Sequence, residues 1–153
     1  ESHFNFLHKG LTRQFYTHNN REINTQFTVK DDIVCSAYSY FSRTPSAYSI
    51  EAVEPTTLLT FEINDMEFVL AQGPNFIQWG RLLMNQLLFY KEERERELLT
   101  YDAANRLQHF IDSKPELVSK LSQVHIASYL NIQPETFSKL KNSIQKIGHQ
   151  KSE

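Results

Sequence analysis

The sequence predicts an α+β chain: a β-rich front third, one long helix, then a pair of short helices. Residues 23–29 and 59–63 alternate between apolar and polar side chains with a period of two. Residues 74–98 carry apolar positions at spacings of three and four. Residues 123–144 hold two short helical patterns separated by Asn131-Ile132-Gln133. These three patterns predict the class.

The length of 153 residues fits one ordinary domain or two small ones. With 40% hydrophobic and 22% charged residues, the composition excludes collagen-like and wholly disordered chains. No apolar run is long enough to span a bilayer, and no charged-then-apolar leader opens the chain. The single cysteine, Cys35, cannot close an internal disulfide or build a zinc or iron–sulfur site alone. The expected compartment is the reducing cytoplasm, and no cofactor or metal is expected. The first residue is Glu1 rather than Met, which reads as a processed or truncated piece.

Charge is unevenly placed. Residues 1–73 hold five Lys+Arg against nine Asp+Glu, a net −4, whereas residues 113–153 hold six against three, a net +3. An acidic front and a basic tail suit a modular protein whose C-terminal part meets an anion.

In chain order, Ile23, Thr25, Phe27 and Val29 alternate with Asn24, Gln26 and Thr28. Leu11–Thr17 precedes them, and the polar His18-Asn19-Asn20-Arg21 between predicts a hairpin with a longer turn. Leu59, Phe61 and Ile63 form a further alternation, and several short strands of this kind predict a sandwich or barrel. Cys35–Ser49, rich in Ser, Tyr and Ala, reads as a short helical turn plus loop. Asn64 with Glu67 three residues on reads as a capping box that opens a helix to about Gln72. Gly73 then suits a C′ position.

From Pro74 to about Leu98, a helix of this length spans roughly 35 Å. Its stripe of Phe76, Trp79, Leu83, Gln86, Leu87 and Tyr90 is broad for one small barrel to cover, and suits a homodimer seam. The plainer alternative is packing against its own domain. Lys91–Glu97 reads as a solvated charged face, with Glu92 and Arg96 paired at i,i+4. Asp102–Asp112 is a further helix with Ala103, Leu107, Phe110 and Ile111 inward, ended by Ser113-Lys114-Pro115.

The final pair has a definite geometry. Gln123–Leu130 places Ile126, Ala127 and Leu130 inward, and the small Ala127 permits a close crossing. Asn131 sits where a tight turn demands positive φ, and Pro134 suits the first turn of the next helix. Phe137, Leu140, Ile144 and Ile147 then recur at helical spacing, which completes a helix-turn-helix. Such a second helix can lie in a major groove. Gln133 opens it, and its positions off the core are Glu135, Thr136, Ser138, Lys139, Lys141 and Asn142. Glu135 can accept from cytosine N4, and Lys139 can donate to guanine. Thr136 and Ser138 can reach base or phosphate, while His125, Lys141 and Lys146 suit phosphate. The alternative is a helical hairpin finishing a core, its lysines merely solvated.

The stretch from Ile126 to Leu140, IASYLNIQPETFSKL, resembles the helix-turn-helix of Crp/Fnr-family transcription regulators in the form common among Bacteroidetes. The resemblance implies a jelly-roll-like, cyclic-nucleotide-binding-like β-roll at 1–73, a dimerisation helix at 74–101 and a DNA-binding domain at 102–153. It implies a homodimer on duplex DNA, with the first strands of the roll missing ahead of Phe4. The family's phosphate cassette carries a Gly-Glu pair for the ribose and an Arg-Ser pair for the cyclic phosphate. Laid along Ile33–Phe61, these pairs fall on Cys35-Ser36 and Ser46-Ala47. No acid meets the ribose and no base the phosphate, so cAMP is not expected to bind. The adenine-contacting positions of the dimer helix fall near Lys91 and Glu92, again unlike the family. Residues 145–153 are too short and polar for the β-wing that usually follows the recognition helix. Gln133 is a weaker cap than the usual Ser or Thr, and Lys139 replaces the usual Arg.

Two other readings compete. In one, Tyr38, Tyr40, Phe41 and Tyr48 line a pocket for a small-molecule effector other than cAMP, with DNA binding weak or lost. The plainer view is that these rings fill the roll. The other, an enzyme, is disfavoured: the six histidines form no i,i+4 pair, and no Gly-x-Ser-x-Gly or Gly-rich phosphate loop occurs. Cys35 reads as a small buried hydrophobe.

Overall fold

A computed structural model describes the backbone of residues 1–150 and the side chains of residues 1–144. The expectations for Lys146, Ile147 and the last three residues therefore lie outside what is described. Six strands come first: β1 (His3–Lys9), β2 (Thr12–His18), β3 (Arg21–Thr28), β4 (Ile33–Val34), β5 (Ser49–Ala52) and β6 (Thr57–Glu62). Helix α1 (Ala37–Ser42) interrupts them, and α2 (Ile63–Leu70), α3 (Pro74–Thr100), α4 (Ala103–Ser113), α5 (Pro115–Lys120), α6 (Gln123–Tyr129) and α7 (Pro134–Gln150) follow. The chain divides into two compact units at Tyr90/Lys91, inside α3.

In the first unit the strands make two antiparallel three-stranded sheets, ordered β4-β1-β6 and β3-β2-β5. The chain passes between the sheets at Gly10-Leu11 and again at residues 53–56, and Val53 N–H donates to Leu11 C=O at 2.8 Å. Gly10 has φ +109°, and a Cβ there would stand 2.7 Å from Thr56 Cα, so only glycine fits this crossing. Phe4 and Leu7 of the first sheet, Phe15 and Phe27 of the second, and Leu11, Val34, Ile63 and Met66 form the buried core.

Several expectations are corrected here. The β2–β3 hairpin turns on two residues rather than a longer loop: His18 pairs with Arg21, and Asn19 and Asn20 have φ of 49° and 58°. Asn tolerates both left-handed positions, which is what a tight primed turn needs. The alternation of β3 does not run through. Gln14 pairs with Gln26 but Phe15 pairs with Asn24, so Thr25 is an extra residue and the faces exchange there. Phe27 is buried as expected, but Asn24 is buried and Ile23 is exposed. Helix α2 is capped at Glu62 rather than Asn64, because Ile63 already serves as a buried helical residue. Gly73 lies two residues past the Ala71 C-cap, with φ +153°.

Helix α3 runs 27 residues, and not one of them is buried. Trp79 lies with its ring centroid 6.0 Å from that of Phe6. Gly80 leaves room for the Leu70 side chain of α2, since a Cβ there would stand 2.9 Å from Leu70 Cδ2. No helix among the described residues is long and apolar enough to cross a membrane.

The second unit is helical. Asp102 caps α4 by accepting from Asn105 N–H at 2.8 Å. Leu107, Phe110, Leu117, Leu121, Ile126, Ala127, Tyr129, Leu130 and Phe137 form its buried core. Helix α5 was absent from the sequence expectations, because Pro115 reads as a break yet here supplies the first residue of a short helix. The charged run also departs from expectation. Arg96 pairs with Glu93 at 3.4 Å rather than with Glu92, and Arg94 and Glu97 are turned inward rather than solvated.

Candidate nucleic-acid interface

Ser122 caps α6 by accepting from His125 N–H at 3.1 Å. Ile126, Ala127 and Leu130 point inward, as their spacing predicts. The helix ends on Asn131 at φ 54°. Asn131 N–H donates to Ser128 C=O at 3.1 Å and Ile132 N–H to Ala127 C=O at 3.0 Å. This is a Schellman ending with Asn in the left-handed position usually taken by Gly. Phe137 N–H donates to Gln133 C=O at 2.9 Å, which starts α7. Helix α7 packs on α6 and α4, with Phe137 only 1% exposed and Leu140 and Ile144 half-buried.

At 100° per residue, the face opposite Phe137 and Ile144 carries Glu135, Ser138, Lys139 and Asn142. All four are exposed, as are Gln133 and Thr136, while His125 and Lys141 are half-buried. The sequence-predicted contact residues of α7 are thus gathered on and beside one outward face. Ser138 Oγ donates to Pro134 C=O at 3.1 Å, so its hydroxyl remains to outside groups mainly as an acceptor.

Sequence reasoning missed the residues that hold this pair. The guanidinium carbon of Arg94 stands over the Tyr129 ring, 4.0 Å from its centroid, and Arg94 donates to Tyr129 C=O. Arg106 Nε donates to Leu130 C=O at 2.9 Å. The signal was present: the stripe Phe76, Trp79, Leu83, Gln86, Tyr90 continues at the same spacing to Arg94 and Glu97. Its change from apolar to charged made it look like the start of a solvent face.

Of the seam residues predicted on α3, Leu83, Leu87 and Tyr90 are half-buried, while Phe76, Trp79 and Gln86 are exposed. Leu82, Leu88 and Phe89 are exposed as well, Phe89 by 64%.

The cassette positions are occupied by local structure. Ser36 is buried and caps α1 by accepting from Ser39 N–H at 3.2 Å, while its own N–H donates to Glu1 Oε2 at 2.9 Å. Cys35 C=O accepts from the Tyr48 hydroxyl at 3.2 Å. Burial pushes the Cys35 thiol up to about 12, with Glu1 adding to the effect. Ser46 and Ala47 are exposed, and Ser46 Oγ donates to Tyr48 C=O at 2.8 Å. Arg43, a nearby cation the sequence did not single out, is paired with Glu67 on α2. A surface recess of about 370 Å³ between Glu1–His3, Arg43 and Glu62–Asn64 takes in none of the cassette positions. Neither expectation for the four rings holds throughout: Tyr38 and Phe41, 68% and 64% exposed, neither line a pocket nor fill the roll, while Tyr40 packs edge-on against Phe4. Among the described residues no cluster of His, Cys, Asp and Glu could hold a metal.

No protein-family model and no curated protein matches the sequence. Solved structures do. The chain is similar to FixK2 from Bradyrhizobium japonicum, with a TM-score of 0.83 at 16% identity over 96% of this chain and 76% of that one. A CRP-family transcriptional regulator from Thermus thermophilus aligns with a TM-score of 0.74 at 15% identity, over 97% and 78%. The c-di-GMP-responsive global regulator CLP from Xanthomonas campestris aligns at 0.71 and 12% identity, over 96% and 79%. At such identities the likeness shows the fold alone: the chain has the cyclic-nucleotide-binding-like fold found in Crp/Fnr regulators.

Proposed function

We propose that the chain is a Crp/Fnr-type transcription regulator that binds duplex DNA as a homodimer and does not respond to cAMP. Its parts are a sensor-like β-roll at 1–73, a dimerisation helix at 74–101 and a DNA-binding domain from 102 on. The observation that carries this reading is the α6–turn–α7 unit. Its exposed face of Glu135, Ser138, Lys139 and Asn142 lies opposite a buried Phe137. Glu135 and Lys139 are the base readers, Thr136 and Ser138 add hydroxyls, and Lys141 and His125 flank them toward phosphates.

Support for the dimer comes from α3. A 27-residue helix with no buried residue leaves Phe76, Leu82, Leu88 and Phe89 uncovered, which a second copy would bury. Exposed Leu59 and Phe61 on β6 support further strands of the roll covering that sheet. Support for a cAMP-independent protein comes from Ser36, whose hydroxyl and N–H are both engaged within the chain, and from an Arg43 committed to Glu67. An effector-sensing roll that has lost DNA binding is the weaker reading, since two of its four expected pocket rings face outward.

Selection from a random duplex pool, then anisotropy titration of the selected duplex at two salt concentrations, tests the reading. Affinity is expected to fall by at least about 100-fold between 50 and 200 mM salt, as released counterions demand. Lys139→Ala is expected to weaken the selected duplex by about 1–3 kcal/mol. A folded protein that enriches no duplex overturns the proposal. Leu87→Glu is expected to move the sedimentation mass from two chains to one; an unchanged mass would remove α3 as the seam.

A further inference from the structure

We propose that Arg94 is a positioning residue that sets the direction in which α7 leaves the turn, and so aims the recognition face. Its geometry stands on its own, while its consequence for DNA rests on the function proposed above.

The side chains of Arg94 and Glu97 are only 10% and 13% exposed. A guanidinium with so little access to water is unfavourable unless its donors and its flat faces are used. Arg94 uses them. Nη1 donates to Glu97 Oε2 at 3.0 Å, Nη2 donates to Tyr129 C=O, and Cζ lies 4.0 Å from the Tyr129 ring centroid. The other oxygen of Glu97 lies 3.0 Å from His109 Nε2 on α4, so the carboxylate that orients Arg94 is itself held from a second helix. Tyr129 is buried, and its ring stands 5.5 Å from that of Phe110.

A second arginine completes the grip. Arg106 donates to Leu130 C=O at 2.9 Å and to Tyr101 C=O at 2.5 Å. The carbonyls of residues 129 and 130 belong to the last turn of α6, where no further helical N–H reaches them and the helix end is negative. One is held from α3 and the other from α4. The next residue, Asn131, turns the chain at φ 54°, and α7 begins at Pro134. So short a link transmits any tilt of the Tyr129 carbonyl to the axis of α7.

Packing does not require this arginine. Leu107, Phe110, Leu117, Leu121, Ile126, Leu130 and Phe137 already make an apolar core. What Arg94 adds is direction, because a planar fork holds two acceptors at fixed angles where the three donors of a lysine rotate freely.

The test uses the full chain, with the duplex selected by the wild-type protein and a scrambled duplex of the same length. Arg94→Ala is expected to weaken the selected duplex about tenfold while leaving the scrambled one within about twofold, a size typical of a coupling residue. Arg94→Lys keeps the charge without the fork and should stay within about threefold of Arg94→Ala. Glu97→Gln preserves shape, guards against a misfolded alanine variant, and should shift the selected duplex the same way. Without DNA, hydrogen exchange at the Asn131 and Ile132 amides should quicken in Arg94→Ala while that of Ile126 holds. Equal weakening of both duplexes means Arg94 only stabilises the fold and overturns the proposal, as does wild-type binding by Arg94→Ala. If the wild-type protein selects no duplex, the function fails instead. The exchange arm then still decides the lock: unchanged rates at Asn131 and Ile132 overturn it, and faster rates uphold it.

Discussion

Strand β2, the middle strand of its sheet, and helix α6, which packs on α7, are each seven residues long, yet they bury opposite kinds of side chain. Helix α6 buries Ile126, Ala127 and Tyr129, with only apolar or aromatic side chains of its own in the core and Arg94 over the Tyr129 ring. Strand β2 buries Thr12, Arg13 and Gln14 beside Phe15. Arg13 bonds to Glu51 at 2.6 Å, Glu22 at 2.7 Å and Asn24 at 3.2 Å, and lies 4.1 Å over Phe15. Burial alone would lower the Arg13 guanidinium, but its bonds to Glu22 and Glu51 raise it above its ordinary value. The hydroxyls of Thr12 and Thr28, paired across the strands, have no partner among the described residues. The helical unit is thus held mainly by close packing, with its polar contacts gathered at the end of α6, and the sheet unit partly by a polar knot within the sheet. The two should respond differently to the same kind of mutation.

The largest effect is expected for Phe137→Ala. Emptying so buried a site should cost about 3–5 kcal/mol in the helical unit. In a urea titration, helical circular dichroism should then fall before the fluorescence of the single tryptophan, Trp79, which belongs to the first unit. Coincident transitions would break the comparison. Arg13→Ala should act in reverse, bringing the Trp79 transition forward by about 1–3 kcal/mol; the half-exposed carboxylates it leaves behind can still reach water, which limits the loss. An unchanged midpoint would mean the polar knot contributes nothing.

A smaller effect tests the turn. Asn131→Val should cost about 1–2 kcal/mol, since a β-branched residue resists positive φ, whereas Asn131→Gly should stay within about 0.5 kcal/mol. Similar losses for both would mean the Asn side chain, not the backbone angle, is what counts. The last test, at high pH, concerns Cys35, whose thiol is raised from 9.0 to about 12. The stability this shift represents is fully present below pH 9 and is lost as pH rises toward 12, because the unfolded thiol ionises first. Stability of wild type and Cys35→Ala measured across that range should converge as pH rises; parallel curves would contradict the shift.

The helical half was the more legible. Ile126, Ala127, Leu130 and Phe137 are buried where their spacing puts them, Asn131 has the positive φ its position demands, and α7 starts at Pro134. These follow from local rules: a 3.6-residue period, one left-handed residue and one proline at a first turn. The sheet half was legible as strands but not as faces. A single extra residue, Thr25, exchanged the two sides of β3, and nothing in the residue types marks where a bulge falls. The outward set on α7 was legible too, whereas the arginines that hold it were not, because charge in a sequence says nothing of which acceptors the fold brings near.

The sequence by itself determined where α4, α6 and α7 lie, which side of α6 and α7 is apolar, and how the turn between those two is made. All of these depend on residues within a few positions of one another. Only the tertiary structure decided that Arg94 and Glu97 turn inward to meet Tyr129 and His109, that Arg13 is enclosed by Glu22 and Glu51, and that Ile23 faces water. Each of these depends on partners distant along the chain or on a register shift. A buried charge is tolerated only once those partners have been brought within bonding distance.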